Sequence, residues 1–141
     1  MPLVKPHAIV SSTASDSHTW NLIFIQQLLE EQGYRVSNLG ACVPDELLVG
    51  SSVELAPDLV VLSSVNGHGY QDGKRAVQAL RAVSALREIP VVIGGKLGTA
   101  GTDTVRAAEL KEAGFDAVYG DSDEDLDLFH AFLGSIRRVG V

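Results

Sequence analysis

The chain has 141 residues, the length of one ordinary domain, and is read as a single domain over 1–141. Its 11 Lys and Arg against 18 Asp and Glu give a net charge of −7, which argues against a nucleic-acid partner, and its 1 cysteine excludes an intramolecular disulfide or a cysteine-cluster metal site. No apolar run approaches the roughly 18 residues of a membrane span, and the opening MPLVKPHAIVSST lacks a signal-peptide stretch, so no membrane is expected and a cytoplasmic address is.

Short apolar runs alternate with helical stretches. Residues 7–13 (HAIVSST) read as a first strand that ends in a small, polar loop. Residues 20–32 read as a helix with Trp20, Ile23, Phe24, Leu28 and Leu29 on one inward face. Gly33 follows where a helix end favours positive φ. Residues 35–39 form a second short strand. Pro44 opens a second helix, Asp45 and Glu46 suit its positive end, and Pro57 closes it. Residues 59–65 (LVVLSSV) are continuously apolar before turning polar, as in a strand buried on both faces of a parallel sheet. The loop Asn66-Gly67-His68-Gly69 follows. A third helix over about 73–87 places Val77, Leu80, Val83 and Leu86 inward. Residues 90–93 form the fourth strand, ending at Gly94-Gly95. Residues 102–113 form the fourth helix, stopped by Gly114. A weak fifth strand spans 117–119, and the acidic turn at 121–125 starts a last helix.

Five strands, each followed by a helix, predict a flavodoxin-like (Rossmann-like) α/β fold: a doubly wound parallel sheet of order 2-1-3-4-5. Ligands of such sheets sit beyond the carboxyl ends of the strands. That directs attention to residues 12–20, 40–44, 63–72, 94–101 and 120–124. Neither glycine-rich stretch is a phosphate motif, since G-x-x-x-x-G-K-[ST] is absent and no G-x-G-x-x-G follows the first strand. Taken singly, Asp16 is a helix cap and His18 a loop histidine. Ser63-Ser64 is a polar strand end, and Gly94-Gly95 a tight turn. His7 and His130 are expected to be structural or surface residues. Cys42 is expected to be a small buried hydrophobe, since no base is placed beside it.

Taken together, these residues resemble a family. Asp16-Ser17-His18-Thr19-Trp20-Asn21 carries the core of the D-x-H-x-x-G motif of cobalamin-binding domains. Ser63-Ser64-Val65 stands where that family has S-x-L, and Gly94-Gly95 matches its paired glycines. The order and spacing are most similar to the small (sigma) subunits of glutamate mutase, also called methylaspartate mutase. The similarity covers nearly the whole chain, through SDSH, GYRVSNLG, LSSVNGHG, VIGGK and GFDAVYG.

The resemblance implies adenosylcobalamin as cofactor, with His18 as the lower cobalt ligand in place of the cofactor's own dimethylbenzimidazole. Imidazole is an apt donor to cobalt. Asp16 would accept the other ring N–H and fix the tautomer. Ser63 would hydrogen-bond the displaced nucleotide tail, and Gly94 and Gly95 would let it pass close to the backbone. Ser15, Ser17, Thr19, Val65, Gly67 and Lys96 complete the implied cofactor-binding set. A separate large subunit, a (β/α)8 barrel, would carry the amino-acid substrate, in a homo- or hetero-oligomer. This chain then holds no catalytic residue of its own. Asn21 replaces the motif's glycine, Asp121, Ser122 and Asp123 replace small residues of the last loop, and Lys96 stands where asparagine is common. The competing readings are a corrinoid carrier for methyl transfer and a flavodoxin or receiver-like signalling module. A carrier usually has an added N-terminal helical bundle, a receiver needs acidic residues after the first strand, and a flavodoxin needs a phosphate loop for FMN.

Overall fold

The computed structural model describes residues 5–14, 19–64, 69–94, 103–119 and 123–139. Strands and helices alternate: β1 (His7–Ser12), α1 (Trp20–Glu31), β2 (Arg35–Gly40), α2 (Asp45–Leu55), β3 (Leu59–Ser63), α3 (Gly69–Arg81), β4 (Val91–Gly94), α4 (Asp103–Ala113), β5 (Ala117–Tyr119) and α5 (Asp123–Val139). Every strand pairing is parallel, and the order is β2-β1-β3-β4-β5, as the sequence predicts.

Alternation along the strands sorts the core into two layers. Ile9, Val60, Leu62, Val91 and Ile93 pack with Leu48 of α2, Val77 and Leu80 of α3 and Leu110 of α4. Ala8, Val10, Leu59, Val61 and Val92 pack with Leu22, Ile25 and Leu29 of α1 and with Phe129 and Leu133 of α5. Burial of each such side chain is worth roughly 1.5–3 kcal/mol, which is why the strands read as unbroken apolar runs. Tyr34 uses its polar tip as well: its Oη donates to the Leu133 carbonyl at 3.1 Å, tying the α1–β2 turn to α5.

The structure corrects several boundaries and one face. In α1 the buried residues are Leu22, Ile25, Leu28 and Leu29, whereas Trp20, Ile23 and Phe24 are exposed. Residues 22–25 are all apolar, so two helical phases fit equally well, and both share Leu28 and Leu29. Pro44 occupies the cap position before α2, with extended backbone, and its carbonyl accepts from Leu47 and Leu48. Helix α3 begins at Gly69 and ends at Arg81, because Val83 is extended and the chain then makes a 3-10 turn at Ser84–Leu86. Val77, Leu80, Val83 and Leu86 nonetheless all reach the core, as expected. Cys42 is exposed rather than buried. Its φ of 51° turns the chain after β2, and the next residue, Val43, takes the inward place.

The amino end of the sheet is held by Arg81, at the last turn of α3. Its guanidinium donates to the carbonyls of Gly114 (2.9 Å), Leu86 (2.9 Å), Arg87 (2.9 Å) and Ile89 (2.7 Å) and to Asp116 Oδ2 (2.9 Å). Asp116 Oδ2 also accepts the Val91 N–H at 2.8 Å. Gly114, at φ +139°, sits so close that a Cβ there would lie 2.9 Å from Arg81 Cγ. The glycine that stops α4 thus meets both a backbone and a packing demand. Arg81→Met keeps the stem but strands these acceptors. Hydrogen bonds to charged groups are worth about 1.5–3 kcal/mol, so urea denaturation should show a loss of about 2 kcal/mol or more at an unchanged m-value. A loss under about 0.5 kcal/mol would contradict this role.

Candidate functional site

Parallel register brings four strand ends level. Ser12 pairs with Ser63, Ser63 with Gly94, and Gly94 with Tyr119. One pleat earlier the same row reads Val10, Val61, Val92 and Ala117, on the face covered by α1 and α5. Side chains two residues apart share a face, so Ser12, Ser63 and Gly94 continue that row toward the carboxyl edge. There the bulk falls from valine to serine and glycine, leaving the sheet recessed beside the start of α1. Tyr119 closes the row, with its ring 5.3 Å from Phe129 and 6.4 Å from Phe132. Burial, and then Asp125, push its phenol above the usual value, so this wall is uncharged near neutral pH.

Hydroxyls crowd this carboxyl edge on both faces of the sheet. Ser11, Ser12, Thr13, Ser63 and Ser64 are all buried. Ser12 Oγ donates to the Gly40 carbonyl at 3.0 Å, and Ser64 N–H donates to the Gly94 carbonyl at 3.0 Å, extending the β3–β4 pairing. Thr13 Oγ1 and Ser64 Oγ are buried with no hydrogen-bond partner among the described residues. An unpartnered buried hydroxyl costs about 1–3 kcal/mol, so both are poised to bond a group arriving at this edge.

Gly94 does not have positive φ, unlike Gly33, Gly40 and Gly114. A Cβ built on it would meet Tyr119 O at 3.6 Å and Tyr119 Cβ at 3.7 Å, which is ordinary contact. The described residues therefore do not themselves require glycine here. What glycine leaves is open room beside the backbone at the centre of the row.

Helix α1 approaches this row with its first turn. Thr19, its N-cap, makes no side-chain capping bond. Asn21 Nδ2 donates to Ser63 Oγ at 2.6 Å, joining the helix start to the end of β3. Trp20, the 1 tryptophan of the chain, is 83% exposed beside it.

Of the candidate residues, the structure brings Ser63 and Gly94 together and puts Thr19 at the mouth of α1. Ser15, Asp16, Ser17, His18, Val65, Gly67, Gly95 and Lys96 lie outside the described residues, as do His68, Asp121 and Ser122. His7 lies at the opposite edge, its Nε2 2.7 Å from Ser37 Oγ, and burial and then Arg35 hold it below the ordinary imidazole value. It is a structural residue, and His130 is exposed on α5, both as expected. Sequence reasoning passed over Thr13 and the Asn21–Ser63 bond. The one available signal was that Asn21 departs from the motif's glycine.

Comparisons with known proteins agree with this geometry. A family profile for the B12 binding domain matches residues 6–129. The glutamate mutase sigma subunit of Fusobacterium nucleatum is 29% identical over 118 residues, covering 83% of this chain and 86% of that protein. The glutamate mutase sigma subunit of Halobacterium salinarum is 30% identical over 121 residues, covering 84% and 79%. Among solved structures, a cobalamin-binding protein from Desulfitobacterium hafniense superposes with a TM-score of 0.68 at 23% identity, over 82% of this chain and 53% of that one, so the chain spans about half of its length. At that identity the likeness speaks for the fold alone. The profile match over most of the chain places it: this protein belongs to the B12-binding domain family and resembles the sigma subunits of glutamate mutase.

Proposed function

We propose that this chain is the cobalamin-binding subunit of an adenosylcobalamin-dependent carbon-skeleton mutase of the glutamate mutase kind. The observation that supports it most is the small-residue row Ser12–Ser63–Gly94 at the carboxyl edge of the sheet, an edge that also carries the unpartnered buried hydroxyls of Thr13 and Ser64. Those residues fit the cofactor's nucleotide tail. Glycine and serine leave it room, and the hydroxyls supply donors and acceptors for its ribose, phosphate and ring nitrogens.

His18 would hold the cobalt in place of the cofactor's own base. Asp16 accepts the second ring N–H, which orients the imidazole and makes it a stronger donor. Ser63 hydrogen-bonds the tail, and Gly94 with Gly95 lets it run against the backbone. Ser15, Ser17, Thr19, Val65, Gly67 and Lys96 line the cofactor around that path. Bound adenosylcobalamin supplies the carbon-centred radical chemistry, and the chain's own part is to bind, orient and shield it. The amino-acid substrate sits on a separate (β/α)8-barrel subunit that docks over the loop face. The protein acts in the cytoplasm.

Purified protein mixed with cobalamin and desalted should retain it at near one equivalent, by absorbance. Gly94→Val should cut affinity at least about tenfold while the variant stays folded by circular dichroism, because a Cβ there meets only ordinary contacts among the described residues. Asp16→Ala should cost about 10- to 100-fold, the usual loss when a ligand's orienting partner goes. No retained cobalamin, or wild-type affinity in Gly94→Val, would overturn the reading.

Partner dependence has its own test. The 141-residue chain loaded with adenosylcobalamin should give no rearranged product from glutamate until a large mutase subunit is added. Turnover by the loaded chain alone would contradict the division of labour.

A further inference from the structure

We infer that Asn21 is a latch on the cofactor slot, its bond to Ser63 closing the recessed row that the nucleotide tail must enter. The inference rests on the reading of the site as a cobalamin-binding one and names a control built into that site. Three observations carry it. First, the Asn21 Nδ2 to Ser63 Oγ bond of 2.6 Å spans from the first turn of α1 to the end of β3, across the row. Second, Asn21 has no helical task that explains it. The N-cap is Thr19, which makes no side-chain capping bond. Asparagine is also a modest helix former, so its presence here is not a matter of propensity. Third, the row below it is otherwise reduced to Ser12, Ser63 and Gly94, and among the described residues a Cβ at Gly94 would find nothing nearer than 3.6 Å. Ser12 and Ser63 are only 1% and 3% exposed, and the asparagine amide bonded to Ser63 is part of what covers the row.

The chemistry follows from the valence of the serine hydroxyl. Ser63 Oγ has two lone pairs and one proton, so accepting from Asn21 uses one lone pair and turns the hydroxyl toward the helix start, and a tail group that approaches along that direction competes with the asparagine. A tail that sits against Gly94 on this face must also displace the asparagine amide sterically. Entry therefore needs the 2.6 Å bond to break and the side chain to swing out. Breaking one net hydrogen bond slows and weakens tail insertion by about 3- to 10-fold. The latch acts only on the tail. A corrinoid without a nucleotide tail does not use the row and does not meet Asn21.

The test compares two probes on the intact chain. Cobalamin carries the tail, and cobinamide is the same corrin ring without it. Stopped-flow absorbance should show cobalamin binding to Asn21→Ala about 5-fold faster, with a matching gain in affinity, while cobinamide binding stays at the wild-type rate. Asn21→Gly should behave alike. Should glycine in the first turn impair folding, the alanine variant carries the test. Unchanged or slower cobalamin binding, or an equal gain with cobinamide, overturns the latch. Wild-type protein that binds cobalamin while its variants show no gain refutes the latch alone. Wild-type protein that retains neither corrinoid refutes the site, and the latch with it.

Discussion

The level ending of β1, β3 and β4 is the constraint on which the site depends. Parallel hydrogen bonding fixes Ser12 against Ser63 and Ser63 against Gly94. A slip of one residue in any strand would carry its valines to the other face of the sheet and its small residue off the row. The buried valine row Val10, Val61, Val92 thus sets the register, and the register in turn places the serine and glycine residues. Core packing and site geometry are consequences of the same alternation.

Stability and binding are divided between the two ends of the sheet. At the amino edge, Arg81 and Asp116 satisfy carbonyls and an N–H with charged, short hydrogen bonds. At the carboxyl edge, hydroxyls at Thr13 and Ser64 stay unpartnered among the described residues, which would also accept a Cβ at Gly94. Local rules kept at one end and broken at the other mark the broken end as the working one. The tool is ordinary parallel-sheet chemistry, in which loops at strand ends vary freely over a fixed frame.

Much of this was legible beforehand. The strand cores are continuous apolar runs, and the turns carry Gly33 and Gly114, which do adopt positive φ. The strand order followed from chain length and alternation. The phase of α1 was not legible, because Leu22, Ile23, Phe24 and Ile25 are all apolar and the sheet alone decides between them. The end of α3 was hidden for a similar reason: Val83 and Leu86 continue the apolar period beyond Arg81, although the backbone has left the helix. The exposure of Cys42 comes from a left-handed turn at a residue type that seldom takes one. Of the candidate site, Ser63 and Gly94 were identified through a resemblance, and their adjacency comes from register. The Asn21–Ser63 bond joins residues 42 apart and depends on where α1 begins against β3, which no local pattern encodes.

The central claim is that a protein histidine, His18, holds cobalt in place of the cofactor's own base. Electron paramagnetic resonance of the Co(II) complex tests it most directly, using protein carrying 15N-labelled histidine and unlabelled cobalamin. A nitrogen on the axial position splits each cobalt line, into three for 14N and two for 15N. The expected spectrum changes from triplets to doublets on labelling, and reverts in the complex of His18→Ala. Triplets that persist with labelled histidine would mean the benzimidazole is still bound, and would contradict the claim.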